Sequence, residues 1–304
     1  MDTLIIEKKN EVYITVDCDP NIQREISEFF TFYVPGYKFM PAFRNRMWDG
    51  KIRLYSQKTK EIYFGLFPYI RAFAEERGYQ IVSGEDVEIN NKVDKEIVKK
   101  FSNSLGQKFE ARDYQIDAIY HSLKFNRALL LSPTASGKSF IIYSLIRYYS
   151  HLIKDTPNNR ILLIVPTTSL VEQMYSDFQS YGWNVKKNCH RLYSGYSNQT
   201  DKKVLISTWQ SLYKLPKKYF EQFGCVFGDE AHLFKSKSLT EIMTKLEDCK
   251  YRIGLTGTLD GAQTHKLVLE GLFGAVNKVT STRKLMDKKQ LSNLVVRCLI
   301  LKHT

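Results

Sequence analysis

The segment Ser132-Pro133-Thr134-Ala135-Ser136-Gly137-Lys138-Ser139 has the residue types of a phosphate-binding loop. It lies between an apolar run, Ala128–Leu131, that reads as a strand and a helix expected over Phe140–Tyr149. Phosphate binding needs that context. Backbone N–H groups from Thr134 to Gly137 can wrap phosphate oxygens, and the helix N-terminus adds its positive dipole end. Lys138 then reaches the β- and γ-phosphates, and the Ser139 hydroxyl ligates Mg²⁺. The fit is incomplete: Ser132 stands where the strict pattern has Gly, and Ala135 occupies a position that is often Gly. About ninety residues later, Asp229-Glu230-Ala231-His232 follows the apolar run Cys225–Gly228. An Asp at the end of a buried strand can hold Mg²⁺ through water, and the adjacent Glu can orient or deprotonate an attacking water.

These residues need a scaffold that brings distant strand ends together. After about Ser104 the sequence shows short, nearly continuous apolar runs separated by helical stretches, the pattern of parallel strands buried on both faces. The runs are Ala128–Leu131, Arg160–Val165, Cys189–Tyr193, Lys203–Thr208, Cys225–Gly228 and Arg252–Thr256. Capping boxes are expected at Ser169 with Glu172 and at Ser238 with Glu241. The fold class is α/β: a doubly wound parallel sheet, with ligands at the carboxyl ends of its strands. A polar stretch from Ser83 to about Ser104 separates it from a small α+β unit. In that unit Val12–Val16 alternates as a strand, and Asp19-Pro20 opens a helix with Ile22, Ile26, Phe29 and Phe30 on one face. Strand-like runs follow at Phe39–Trp48, Lys51–Tyr55 and Ile62–Leu66, then a helix Pro68–Arg77 stopped by Gly78 and a strand Tyr79–Val82. The expected division is 1–95, a nucleic-acid-recognition module; 96–285, the nucleotide-binding domain; and 286–304, the start of a linker.

With 45 Lys and Arg against 32 Asp and Glu, the 304-residue chain carries a formal charge of +13, which favours polyanionic partners. Five scattered cysteines without CxxC spacing argue against a zinc site and suit a reducing cytoplasm. No apolar run approaches the ~20 residues of a membrane span, so no membrane partner is expected. Between Lys38 and Lys60 seven basic residues face the single acid Asp49. Asp49-Gly50 between two alternating runs signals a two-residue hairpin. Such a hairpin sets Trp48 opposite Lys51, Arg46 opposite Arg53 and Arg44 opposite Tyr55 on an outward face, with Phe43, Met47, Ile52 and Leu54 packed inward. The outward face would meet a phosphate backbone.

Taken together, Gly137-Lys138-Ser139, Asp229-Glu230-Ala231-His232 and Thr256-Gly257-Thr258 resemble motifs I, II and III of superfamily 2 helicases, in order and spacing. Pro166-Thr167-Thr168 and Ser207-Thr208-Trp209-Gln210 resemble the intervening motifs that touch the nucleic-acid backbone, which implies that role for Thr167 and Thr208. Arg112-Asp113-Tyr114-Gln115 resembles the adenine-recognition motif, with Gln115 matching its Gln. The segment Phe39–Tyr55, its Trp48-Asp49-Gly50 turn and Ile164–Thr168 are similar, more narrowly, to the UvsW-type helicases of T-even-like bacteriophages. The resemblance implies a RecA-like domain, ATP and Mg²⁺ as cofactors, and branched or duplex DNA as partner in recombination, repair and replication. It also implies a monomer in the host cytoplasm. Thr256 and Thr258 would couple the nucleotide site to DNA by exchanging hydrogen bonds with Asp229 or His232. No glycine-arginine motif for a second RecA-like domain follows Thr258, and Val295–Leu301 reads as a strand entered from a linker. The expectation is the amino-terminal part of a longer helicase, hydrolysing ATP poorly by itself. Two other classes remain open: a catalytically silent nucleic-acid-binding module, and a P-loop phosphotransferase.

Overall fold

Alternation inside the apolar runs builds the larger sheet. In the computed structural model, which describes residues 2–259 and 261–292, Ile161, Leu163 and Val165 face one core while Leu162 and Ile164 face another. A strand with apolar side chains on both faces must be covered on both, and parallel crossovers through helices supply the cover. The expected strand Val295–Leu301, with Arg297, lies outside the described residues.

The amino-terminal strands are β1 (Thr3–Lys8), β2 (Tyr13–Asp17), β3 (Thr31–Tyr33), β4 (Lys51–Arg53), β5 (Tyr55–Ser56), β6 (Glu61–Tyr63) and β7 (Gln80–Ser83). The later ones are β8 (Arg127–Leu131), β9 (Arg160–Val165), β10 (Cys189–Leu192), β11 (Val204–Thr208), β12 (Phe223–Asp229), β13 (Tyr251–Thr256) and β14 (Val276–Lys278). Among the described residues the small module pairs as β5-β6-β2-β1-β7, with a separate β3-β4 ribbon, and the larger sheet runs β10-β11-β9-β12-β13-β8-β14. Every pairing in the larger sheet is parallel. All six expected core strands are present; β1, β3 and the edge strand β14 were not read from the sequence. β14 is three residues long and only partly buried, so it carries little hydrophobic signal.

One face of this sheet is covered by helices Asp113–Phe125, Lys138–Leu152 and Thr168–Ser180. Helices Lys237–Lys245 and Gln263–Phe273 cover the other, where their core is continuous with that of the amino-terminal module. The small module is tied down by more than apolar contact. Arg127, at the start of β8, donates from Nη2 to the Glu11 carbonyl at 2.6 Å and to Glu11 Oε2 at 2.9 Å, both buried. Tyr69 donates to Glu270 at 2.6 Å.

Both expected capping boxes are corrected. Thr167 caps the helix Thr168–Ser180, two residues before Ser169, and Glu172 instead bonds Arg191 and Tyr193 at 2.5 Å each. Ser236 precedes the helix Lys237–Lys245 without a side-chain cap, which leaves Ser238 inside it. The end of β9 sets the first start, and the 3-10 turn Ala231–Lys235 sets the second.

The hairpin at Asp49-Gly50 is also corrected. Residues 37–44 form two short helical turns, Tyr37–Phe39 and Pro41–Arg44, and β4 pairs antiparallel with β3. Pro41 has no N–H for a ladder and a φ suited to the first helical position, so the run Phe39–Trp48 cannot serve as a paired strand. Arg44, Arg46 and Trp48 therefore do not oppose Tyr55, Arg53 and Lys51. Tyr55 is buried at 2%, whereas Met47, expected inside, is 81% exposed.

Candidate nucleotide site and nucleic-acid edge

The loop after β8 begins under the last rung of the ladder, where the Ser132 N–H donates to the Thr256 carbonyl at 2.8 Å. Ser136 Oγ donates its single proton to the Pro133 carbonyl at 2.5 Å, so in the 2.7 Å contact between the two serines Ser132 Oγ is the donor. Ser132 thus fills the expected Gly position with a buried hydroxyl that braces the loop. Ala135 and Gly137 lie at φ 64° and 83°. The left-handed region accounts for the Gly preference at the first position and for the real one at the second. A Cβ on Gly137 would stand 2.3 Å from Gln115 Nε2.

Gln115 is buried, with both heads of its amide engaged. Its Oε1 accepts from the Arg112 N–H and its Nε2 donates to the Ser136 carbonyl, each at 2.9 Å. Tyr114 donates to the same carbonyl at 3.1 Å, and Arg112 Nη1 donates to the Tyr114 hydroxyl at 2.8 Å. The Arg112–Gln115 turn therefore clamps the phosphate loop.

Asp229 ends β12, between β9 and β13, and only 3% of its surface is exposed. Burial pushes its carboxyl pKa up, and nearby Lys138 offsets part of that rise. Its Oδ1 is buried without a hydrogen-bond partner among the described residues. Glu230 takes the left-handed conformation, φ 50° and ψ 51°, a strain characteristic of functional turns. It brings Oε1 to 2.7 Å from Lys138 Nζ. Thr256 Oγ1 donates to the Thr258 carbonyl at 2.9 Å, so it accepts from His232 Nδ1, also at 2.9 Å, and the Nδ1–H tautomer is assigned. Glu230 Oε2 lies 3.4 Å from the same nitrogen.

Ser139 Oγ contacts the Tyr181 hydroxyl at 2.9 Å. Tyr181 follows the helix Thr168–Ser180 and packs edge-on to Phe109 and Phe140. Sequence reasoning missed Tyr181, because no motif marks it and only the packing of that helix brings it to the loop. Among the described residues no group of three His, Cys, Asp or Glu could hold a metal. The Ser139 hydroxyl and the unpartnered Asp229 oxygen are nevertheless the kind of ligands Mg²⁺ takes, since it binds through few protein oxygens and completes its shell with phosphate and water.

Thr167 lies just beyond the carboxyl end of β9 and Thr208 is the last residue of β11, the neighbouring strand. Thr167 is exposed and accepts the Leu170 N–H at 3.3 Å. Thr208 is 4% exposed and its Oγ1 lies 3.2 Å from Ser211 Oγ. In the small module Arg44 and Arg46 are exposed, Lys51 Nζ lies 4.9 Å from the centre of the Tyr33 ring, and Trp48 Nε1 donates to the Lys51 carbonyl at 2.9 Å. Arg53 is paired with Asp49. The structure brings Lys138, Asp229, Glu230, His232 and Thr256 together but separates the basic residues into the 34–50 excursion and β4.

A parallel sheet with a Gly-Lys-Ser loop after one strand, an acid pair two strands away and a Thr-Gly-Thr turn after the strand between them defines a RecA-like domain of the superfamily 2 helicase class. Residues 108–261 match the family described as Type III restriction enzyme, res subunit, and residues 6–84 match DNA helicase UvsW, N-terminal. The chain is 34% identical over 300 residues to the ATP-dependent DNA helicase uvsW of Enterobacteria phage T4, covering 96% of this chain and 59% of that one. It is 27% identical over 155 residues to the DNA 3'-5' translocase XPB2 of Sulfurisphaera tokodaii, covering 50% and 31%. A crystal structure of the UvsW helicase from bacteriophage T4 superposes with a TM-score of 0.82 at 32% identity, covering 91% of this chain and 100% of that one. The chain belongs to the UvsW helicase family. It spans less than two thirds of the length of these two curated relatives.

Proposed function

We propose that the chain is the ATP-binding part of a DNA helicase or translocase acting on branched or duplex DNA. The observation that carries this reading is the convergence of Lys138 and Glu230, 2.7 Å apart, beside the unpartnered buried oxygen of Asp229. In this reading Lys138 leaves Glu230 for the β- and γ-phosphates of ATP, and Glu230, released, orients the attacking water. Ser139, once free of Tyr181, and Asp229 would hold Mg²⁺, which when bound would neutralise phosphoryl charge. Gln115 and Arg112 keep the loop shaped and stand nearest the base. His232, Thr256 and Thr258 report the change to the edge carrying Thr167 and Thr208, where the DNA backbone runs. Residues 1–95 act as the DNA-recognition module and 96–285 as the motor domain, in a monomer working in the host cytoplasm; 286–304 lead toward a second RecA-like domain.

The test is ATP hydrolysis with and without DNA, by the chain alone and by the chain joined to a second RecA-like domain. Weak turnover alone, DNA-stimulated turnover when joined, and loss of both in Lys138→Ala are expected. Hydrolysis indifferent to DNA in the joined protein would remove the motor reading.

A further inference from the structure

The two most exposed large apolar side chains among the described residues lie in one short excursion of the small module. Phe39 is 77% exposed and Met47 is 81% exposed, and Met40 beside them is 38% exposed. The excursion is firmly built. Tyr37 stacks on Tyr33 with ring centres 4.6 Å apart and meets Phe43 edge-on at 4.8 Å. Gly50 lies against the Tyr37 ring so closely that a Cβ would come within 2.3 Å, and the Val34 N–H donates to the Gly50 carbonyl at 2.9 Å. The turn Pro41–Arg44 closes with the Arg46 N–H on the Phe43 carbonyl and the Met47 N–H on the Ala42 carbonyl. That closure puts Arg46 at φ 57°, where Gly is the easy choice. Strained exposed residues of this kind accompany function.

The charge around these side chains selects the occupant. A shallow concavity of about 620 Å³ is lined by Lys38, Arg44 and Arg46 with Met47 and Trp48. Its one acid, Asp49, is taken up by Arg53 and the Lys51 N–H. A second copy of this +13 chain would bring like charges face to face. Nucleic acid meets both halves of the surface, with phosphates for the cations and base faces for the apolar groups.

We propose that Phe39 and Met47 form an apolar wedge that stacks on unpaired bases at a DNA branch point, while Lys38, Arg44 and Arg46 hold the flanking phosphates. This rests on the reading of the chain as acting on branched or duplex DNA and adds the residues that choose between the two. Paired, stacked bases offer the wedge nothing, whereas a fork exposes base faces beside closely spaced phosphates. The wedge therefore supplies preference for forks, and the cations supply affinity for DNA of any shape.

The test uses this chain with a forked duplex carrying 2-aminopurine at the branch and a linear duplex of the same composition. Wild type should prefer the fork and raise the 2-aminopurine fluorescence. Phe39→Ala with Met47→Ala should keep linear-duplex affinity within about twofold, lose about tenfold of the fork preference, as expected of one stacked base, and abolish the fluorescence rise. Arg44→Ala with Arg46→Ala should weaken both DNAs alike. An unchanged fork preference in the Phe39/Met47 variant overturns the wedge. So does a wild-type dimer, seen by light scattering, that this variant dissociates. Tight duplex binding without fork preference sinks the wedge alone, whereas no binding to any DNA sinks the functional reading as well.

Discussion

The phosphate loop after β8 and the basic excursion at residues 34–50 are both short, Gly-containing and charged, yet they are positioned by different means. The phosphate loop, the acid pair and Thr256 of the nucleotide site sit at or just after strand ends in a sheet whose register is fixed by parallel partners on both sides and by two apolar faces. The excursion has no ladder within residues 37–50. It is shaped by the Tyr33–Tyr37–Phe43 ring contacts and by one left-handed Arg. Spacing along the chain therefore converts into geometry at the first site and does not at the second. The module carrying the excursion and the sheet carrying the loop meet at a buried ion pair, Glu11 with Arg127.

That pair gives the largest expected effect. Burial raises the Glu11 carboxyl, but Arg127 and Lys8 outweigh it and hold the pKa below the usual carboxylate value. A carboxylate depressed in the folded state adds stability that is present above the unfolded value near 4.5 and lost as pH falls through the folded one. Arg127 already has Nε and Nη1 without hydrogen-bond partners among the described residues. Glu11→Gln removes its counter-charge and should destabilise the chain by about 3–5 kcal/mol, the cost of an uncompensated buried charge. Urea unfolding at neutral pH measures it, and the variant should lose part of the acid sensitivity below pH 4.5. A loss under ~1 kcal/mol would mean that this ion pair adds little to the apolar packing and the Tyr69–Glu270 bond that also join the two regions.

The nucleotide site comes next. Lys138→Ala removes a charge-assisted contact of about 1.5–3 kcal/mol, roughly 10- to 150-fold in ATP affinity. Glu230→Gln should keep or improve binding, since it weakens the competitor for Lys138, and should block turnover. Titration with a fluorescent ATP analogue separates the two. Equal losses of affinity would erase the division of roles between them.

How far each region could be read follows from the same contrast. The parallel sheet and its six core strands were legible because residues such as Leu162 and Leu163 are apolar on both faces. Lys138, Asp229 and Glu230 were legible because their types follow those strands directly. Tyr181 on Ser139 and Glu11 on Arg127 were not, since each contact joins segments far apart in sequence and neither Tyr181, Glu11 nor Arg127 stands in a motif. The hairpin failed at Pro41. The alternation of apolar residues in Phe39–Trp48 suits a strand, but a proline opening a turn outweighs it, and Met47 ends exposed where the strand pattern would bury it.

Paired glycine substitutions sharpen the comparison at a smaller scale. Gly137→Ala and Gly50→Ala each place a Cβ at positive φ, about 1–2 kcal/mol of backbone strain, and within 2.3 Å of a neighbour. The first should appear as lost nucleotide affinity with duplex binding kept. The second tilts Tyr37 and should weaken DNA binding with nucleotide affinity kept. Circular dichroism melts report the strain in both. If either variant lost both ligands together, the two sites would not be positioned independently.

The smallest effect runs in the opposite direction for stability and for binding. Arg46 sits at φ 57° with its side chain exposed, so its conformation costs the fold and its charge serves something else. Glycine relieves about 1–2 kcal/mol of left-handed strain but loses about 0.5–1 kcal/mol of chain entropy on folding. Arg46→Gly should therefore stabilise the chain by about 0–1.5 kcal/mol, visible as a small rise in the urea midpoint. The same change removes one phosphate contact, so the slope of log affinity against log salt should flatten by about one for every DNA tested. A more stable variant with an unchanged salt slope would show that Arg46 meets only water. The DNA track would then be sought along the sheet edge at Thr167 and Thr208.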